Sequence, residues 1–225
     1  MSDVIRVTKI HHACLLVEDD ATRLLVDPGE LGDAPDLSGV DAVLITHQHY
    51  DHMSTTVVRS ALDAGIPVWA PSDACQALGR GSGLHETVAG ATFTVNTLQV
   101  DVTGDLHAEV HPVIPGPQNR AYLIAETVFV TGDDHPDPPG PVTVLATPVD
   151  APWLRATDLI RYIDRLRPTG VLAIHDGLLN EAGLVVARRI AASLERNGAG
   201  WSKVVADGES ITIEPPQLPT IIEVG

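Results

Sequence analysis

The chain has 225 residues, 44% of them hydrophobic and 20% charged, and its 14 Lys plus Arg face 30 Asp plus Glu, a formal net charge of −16. That length suits one larger α/β domain, expected over 1–225, with a core that needs no disulfide staples. So acidic a surface repels phosphate backbones and excludes general nucleic-acid binding through a basic face. Cys14 and Cys75 lie far apart without C-x-x-C spacing, which is compatible with a reducing cytosol. No segment approaches the roughly 20 apolar residues that span a bilayer. The opening MSDVIRV lacks a signal-peptide apolar run. A soluble, cytoplasmic protein without membrane contact is expected.

The elements follow in chain order. Ile5, Val7 and Lys9 alternate with Arg6, Thr8 and Ile10 as in a strand, and Cys14–Val17 and Leu24–Val26 flank the Asp19-Asp20 turn as a hairpin. Asp27-Pro28-Gly29 ends this run, and 30–39 reads as a loop. Val40–Ile45 is an apolar run of the kind buried on both faces of a sheet. Ser54 is the expected N-cap of a helix reaching Ala64, and Ser72 of a short helix ending near Gly79, with a strand at 67–70 between them. Gly79-Arg80-Gly81-Ser82-Gly83 neither follows a strand nor opens a helix, so it reads as a flexible loop rather than a dinucleotide site.

From 87 to 131 the alternation of Thr, Val, Phe and Leu predicts antiparallel strands, with a hairpin of Tyr122–Ala125 and Thr127–Val130. Strands at Val142–Ala146 and Gly170–Ile174 then alternate with helices at Ala156–Leu166 and Glu181–Leu194, and Ile211 and Ile213 mark short strands in the tail. This order predicts an α/β (α+β) chain whose two sheets pack face to face under outer helices, a four-layer αββα sandwich.

The chemistry concentrates in His47-Gln48-His49-Tyr50-Asp51-His52. In extended chain His47 and His49 share a face and reach one metal ion, while Asp51 and His52 turn toward a second. Imidazole and carboxylate suit divalent Zn, Mn or Fe. Further ligands should end strands, since strand ends share one edge. His175 after Val171–Ile174 and Asp133 after Val128–Gly132 qualify, and a carboxylate at Asp133 could bridge two metals. Of His107 and His111, four residues apart, only one need be a ligand. His85 reads as a surface residue. Trp153 either walls the pocket or, the favoured reading, belongs to the core.

Ile10-His11-His12-Ala13, Val26-Asp27-Pro28-Gly29 and Thr46–His52, followed by a central His, Gly132-Asp133 and the late His175, resemble the metallo-β-lactamase superfamily. Within it the sequence is similar to the ascorbate-6-phosphate lactonase-like branch of metal-dependent hydrolases, and the likeness runs from about residue 5 to about residue 210. The resemblance implies the metallo-β-lactamase fold and two divalent ions, Zn or Mn in preference to Fe. It places His47, His49 and His107 on one ion and Asp51, His52 and His175 on the other, with Asp133 bridging; His107 precedes a small residue, as the branch's central ligand does. His12 falls at the histidine of a GHA-type motif, where it either handles substrate or a proton or is structural. His11 stands where that motif has glycine. His135 is expected to face solvent, and Asp176 to orient His175.

The implied activity is hydrolysis of an ester, lactone or phosphodiester of a small molecule by a metal-bridging hydroxide, with Asp51 holding the proton and His12 serving the leaving group. The lactonase-like branch adds a phosphorylated substrate as an expectation, although Arg120 is the single basic residue noted near the motifs. A non-catalytic metal-binding protein and an iron-dependent redox protein of the same fold are the alternatives. A homo-oligomer is compatible with the sequence.

Overall fold

The computed structural model describes residues 4–79 and 81–214. Along the chain run β1 (Ile5–His11), β2 (Cys14–Glu18), β3 (Arg23–Val26), β4 (Ala42–Leu44), α1 (Thr55–Asp63), β5 (Val68–Ala70), α2 (Ser72–Leu78) and β6 (Leu84–Glu86). There follow β7 (Thr92–Val95), β8 (Leu98–Thr103), β9 (Ala121–Ile124), β10 (Val128–Val130), β11 (Val144–Pro148), α3 (Ala156–Leu166), β12 (Gly170–Ile174), α4 (Glu181–Glu195), β13 (Trp201–Val204) and β14 (Ser210–Ile213). Two sheets result, ordered β14-β1-β2-β3-β4-β5-β6 and β13-β12-β11-β10-β9-β8-β7. Each is antiparallel on one side and parallel on the other, the change falling at β3–β4 and at β10–β11.

Alternation along the strands builds the layers. Leu24, Val26, Ala42 and Leu44 of the first sheet meet Val128, Val130, Val144, Ala146 and Leu172 of the second in the central core. Their neighbours Leu25, Val43 and Ile45 face outward onto Val58 and Ala61 of α1 and Ala74 of α2. Phe129, Leu145 and Val171 face the other way onto Leu159, Tyr162 and Ile163 of α3 and Leu194 of α4. The four-layer αββα sandwich is therefore the observed fold.

Several boundaries differ from the expected ones. The apolar run at 40–45 contributes only a three-residue strand, because β4 pairs with its parallel neighbours just over Ala42–Leu44. Ser54 caps α1, its hydroxyl accepting from Val57 N, but Ser72 lies inside α2, whose N-cap is Pro71 without a side-chain bond. The strand expected at 142–146 is β11, shifted to Val144–Pro148 by its register with β12. The tail strand β14 pairs antiparallel with β1, so the last described strand lies beside the first. Of the glycine-rich stretch, Gly79 and Gly81–Gly83 lie outside the helices and strands, and Arg80 falls outside the described residues.

This topology explains why distant motifs meet. β1, β3 and β4 run in one direction, so 11–12, 27 and 46–52 leave the first sheet at one edge. In the second sheet β8, β10 and β12 likewise end together, and they are followed by 104–107, 131–133 and 175–177.

Candidate metal centre

After β4 the chain turns out of the sheet through Thr46 and winds around Asp27. Asp27 adopts φ +49°, and Gly29 lies so close to the carbonyl of Asp51 that a Cβ there would overlap it. The fully buried Asp27 carboxylate accepts from Thr46 N at 2.7 Å, from Thr46 Oγ1 at 2.6 Å and from His52 Nδ1 at 2.7 Å. The DPG segment thus does more than turn the chain: it is the platform of the histidine loop.

The hydrogen bonds settle which ring nitrogens carry protons. His52 donates through Nδ1 to Asp27, which turns Nε2 toward the centre. The Thr46 hydroxyl gives its proton to Asp27, so it accepts from His47 Nδ1 at 3.1 Å, and His47 Nε2 is bare. His107 Nδ1 donates to Ala108 O at 2.7 Å, again freeing Nε2. These nitrogens converge. His47 Nε2 is 3.1 Å from His49 Nδ1, and the Asp133 carboxylate lies 3.2 Å from His52 Nε2, 3.4 Å from His107 Nε2 and 3.3 Å from His175 Nε2. Asp51 Oδ2 stands 3.3 Å from His175 Nε2.

His12 is different. Its Nδ1 accepts from Gly177 N at 2.9 Å, so the proton of the neutral ring sits on Nε2, 3.4 Å from Asp51 Oδ2. Burial lowers its pKa and keeps that ring neutral. A nitrogen bearing hydrogen is a donor and not a metal ligand.

The residues fit divalent ions. His52 Nε2, His175 Nε2 and Asp133 Oδ1 are buried without a hydrogen-bond partner, an arrangement that costs free energy unless a cation joins them. His47, His49 and His107 form one compact donor group, and Asp51, His52 and His175 lie in another with His12. Burial opposes charge on His175, but Asp133 and Asp51 outweigh it and push its pKa up to about 9. His52 is raised well above the usual histidine range against the same burial, chiefly by Asp133 and Asp27. Burial, then the neighbouring His52, drives His47 the other way.

All seven expected metal positions and His12 are brought to this one edge. His111 is exposed, accepts from Val113 N and lies outside the donor groups. Three other expectations are corrected. Trp153 is no core residue: only partly buried, it donates from Nε1 to Asp133 Oδ2 at 3.1 Å and holds that carboxylate. Asp176 does not orient His175, because both its oxygens accept from Lys9 Nζ, at 2.6 and 2.7 Å. His135 does not face solvent but stacks on Tyr162 at 4.5 Å. Arg120 is buried and donates to the carbonyls of Thr87, Gly104, Asp105 and Asn119, so it braces loops. His11 packs against Gly32, and His85 stacks exposed on Trp69. Asp27 was legible only as a turn, since nothing local ties it to a histidine far along the chain.

Burial lowers the His135 pKa to about 4 from 6.5. Below pH 6.5 the unfolded chain takes up a proton that the folded one refuses, so acidification to pH 4 costs the fold about 3 kcal/mol. His135→Phe keeps the stack and should lose correspondingly less stability between those pH values, as read from urea midpoints.

Two sheets under outer helices, with a histidine and aspartate centre at the common strand edge, define a metallo-β-lactamase-fold protein. A family model described as "Beta-lactamase superfamily domain" matches residues 6–175, and the chain belongs to that family. It is 32% identical over 180 residues to Protein Rv0786c of Mycobacterium tuberculosis, a match covering 77% of this chain and 85% of that one. A UPF0173 metal-dependent hydrolase of Methanosphaerula palustris is 34% identical over 46% of this chain and 44% of its own. Among solved structures, the metallo-beta-lactamase fold protein YhfI of Bacillus subtilis superposes with a TM-score of 0.72 at 16% identity, over 93% of this chain and 99% of that one.

Proposed function

We propose that the chain is a metal-dependent hydrolase of small esters or lactones, with phosphodiesters as the wider class. One observation carries this reading: the imidazoles of His52, His107 and His175 turn Nε2 toward the buried Asp133 carboxylate at 3.2–3.4 Å, and the Nε2 atoms of His52 and His175 and Asp133 Oδ1 have no hydrogen-bond partner. In this reading His47, His49 and His107 hold one divalent ion, Asp51, His52 and His175 hold a second, and Asp133 faces both. The donor set suits Zn or Mn, with Fe behind them. Such ions supply Lewis-acid polarisation of the scissile group and a lowered pKa for water. The name of the Methanosphaerula relative agrees with this class.

The remaining steps belong to the protein's own groups. In this reading Asp51 accepts a proton from the attacking water. The proton that Asp51 has taken passes on to the departing oxygen, and the neutral His12, whose Nε2–H lies 3.4 Å from Asp51 Oδ2, steadies that carboxylate and the departing oxygen by hydrogen bonding. Asp27 and Thr46 keep His52 and His47 turned toward the centre, and Trp153 keeps Asp133 so turned. Water adds to the acyl carbon, the bond to the alcohol oxygen breaks, and that oxygen takes up a proton.

The test is metal content per chain by mass spectrometry on protein purified without chelator or affinity tag, together with an ester and lactone screen. About two equivalents are expected, with clear loss in His49→Ala and turnover of at least one substrate class. Less than about a tenth of an equivalent after reconstitution with each metal would overturn the proposal and leave a protein without a metal function.

A further inference from the structure

Among the described residues, the exposed large hydrophobic side chains concentrate beside the donor groups. Ten large hydrophobic residues stand exposed among the described residues, and six of them, Tyr50, Leu106, Val110, Val113, Ile114 and Leu178, lie on the three segments that carry the histidines. Their exposure runs from 46% to 77%. Tyr50 sits between His49 and Asp51, Leu106 adjoins His107, and Leu178 is the third residue after His175. At about 3.8 Å per residue, none of these three is more than about 11 Å of chain from a donor residue. The loop bearing the other three is pinned to the centre, because Ala108 N donates to Asp133 O, His107 N donates to Pro117 O, and His111 pairs with Ile114 across its tip. His49 is itself exposed beside Tyr50, so the centre opens among these residues.

Charge narrows the ligand further. Lys9 is the one basic residue within three positions of any of the eight site residues, and its ammonium is sealed on Asp176. The buried Arg120 is taken up by backbone carbonyls, and Arg155, close to Trp153, is paired with Asp158. The acids Asp105 and Glu109 lie beside His107, and Asp134 follows Asp133. A phosphate on the substrate would meet apolar and acidic groups there, with no Lys or Arg other than the sealed Lys9 within three positions of a site residue. Exposed apolar surface so concentrated marks a binding face.

Building on the hydrolase reading, we infer that the substrate is an uncharged ester or lactone bearing an alkyl or aryl substituent of several carbons, which lies on the rim formed by Tyr50, Leu106, Val113, Ile114 and Leu178. A phosphorylated sugar lactone, which the lactonase-like branch implied, is disfavoured by the same residues. Hydrolysis of such a lactone adds one water and yields one hydroxy acid.

Two series test this on the metal-loaded protein. Straight-chain hydroxamates share a metal-binding head, so calorimetric affinity across them reads the rim alone. From acetohydroxamate to octanohydroxamate it should rise at least about tenfold. Val113→Asp combined with Ile114→Asp, and separately Tyr50→Ser on another segment, should each shrink that ratio, so one misfolded loop does not decide the outcome. In turnover, γ-decalactone should exceed both γ-butyrolactone and a phosphorylated gluconolactone in kcat/KM. Equal affinities along the series, or faster turnover of the phosphorylated lactone, would overturn the inference. Length-dependent binding without turnover of any ester or lactone would sustain the rim and sink the hydrolase reading. Turnover without length dependence would do the reverse, and no binding by any hydroxamate would sink both.

Discussion

Asp27→Asn is expected to leave the fold standing and remove about half of the bound metal. The amide oxygen can still accept from Thr46 N, as Asp27 Oδ1 does at 2.7 Å. The amide nitrogen, in the place of Oδ2, must donate where the carboxylate accepted. His52 Nδ1 then becomes an acceptor and its proton moves to Nε2, the atom that faces Asp133 at 3.2 Å. A ligand nitrogen carrying hydrogen cannot bind metal, and loss of such an outer partner lowers affinity about 10–100-fold. Metal analysis after dialysis should show the loss at the Asp51, His52 and His175 position, while the urea midpoint moves little. Asp27→Ala should fail differently. It strands buried donors of Thr46 and His52, each costing about 1–3 kcal/mol, so it lowers stability as well as metal content. Unchanged metal in the Asn variant would refute the proton assignment.

Lys9→Met should be the most destabilising single change in this part of the molecule. The Lys9 side chain is almost wholly buried, with Nζ on both oxygens of Asp176 and 3.2 Å from Val205 O. Asp207 approaches it at 3.1 Å from the solvent side. Removing one partner leaves the buried Asp176 uncompensated, which costs about 3–5 kcal/mol. For a chain of this size the unfolding midpoint falls by roughly 10 °C. Lys9→Met with Asp176→Leu should recover much of that, because an apolar pair of similar volume replaces a buried ion pair at small cost. The double-mutant cycle in urea gives the coupling, and additive losses would refute it. The pair also bears on the centre, since Asp176 follows His175, itself held at φ +67°, and Gly177 N bonds His12.

The residues differ in how far they could be read from the chain. The histidine loop is legible because four donors fall within six residues, a density that loop or core packing does not demand. His175 and Asp133 are legible from the apolar runs before them, since a buried strand must deliver its next residue to the sheet edge. Trp153 and Asp176 were misread for a common reason. An indole that ends an extended segment and a carboxylate that follows a histidine carry no local mark of their partners, and those partners, Asp133 after β10 and Lys9 on β1, come from distant segments. The strand period does place Lys9 on the same face as Ile5 and Val7, turned inward, but an inward lysine does not name the acid that neutralises it.

By itself, then, the sequence determined the layers and the metal-binding character of the chain. Alternation of period two sorts each strand's residues between the central core and the outer helices, and ligand chemistry is a property of residue type and local spacing. The tertiary structure alone decided which nitrogens carry protons, which acid holds which base, and which exposed apolar residues surround the centre. Those outcomes depend on hydrogen bonds and ion pairs only a few ångströms long between segments far apart in the chain. They exist only once strand register and sheet packing have set the distances.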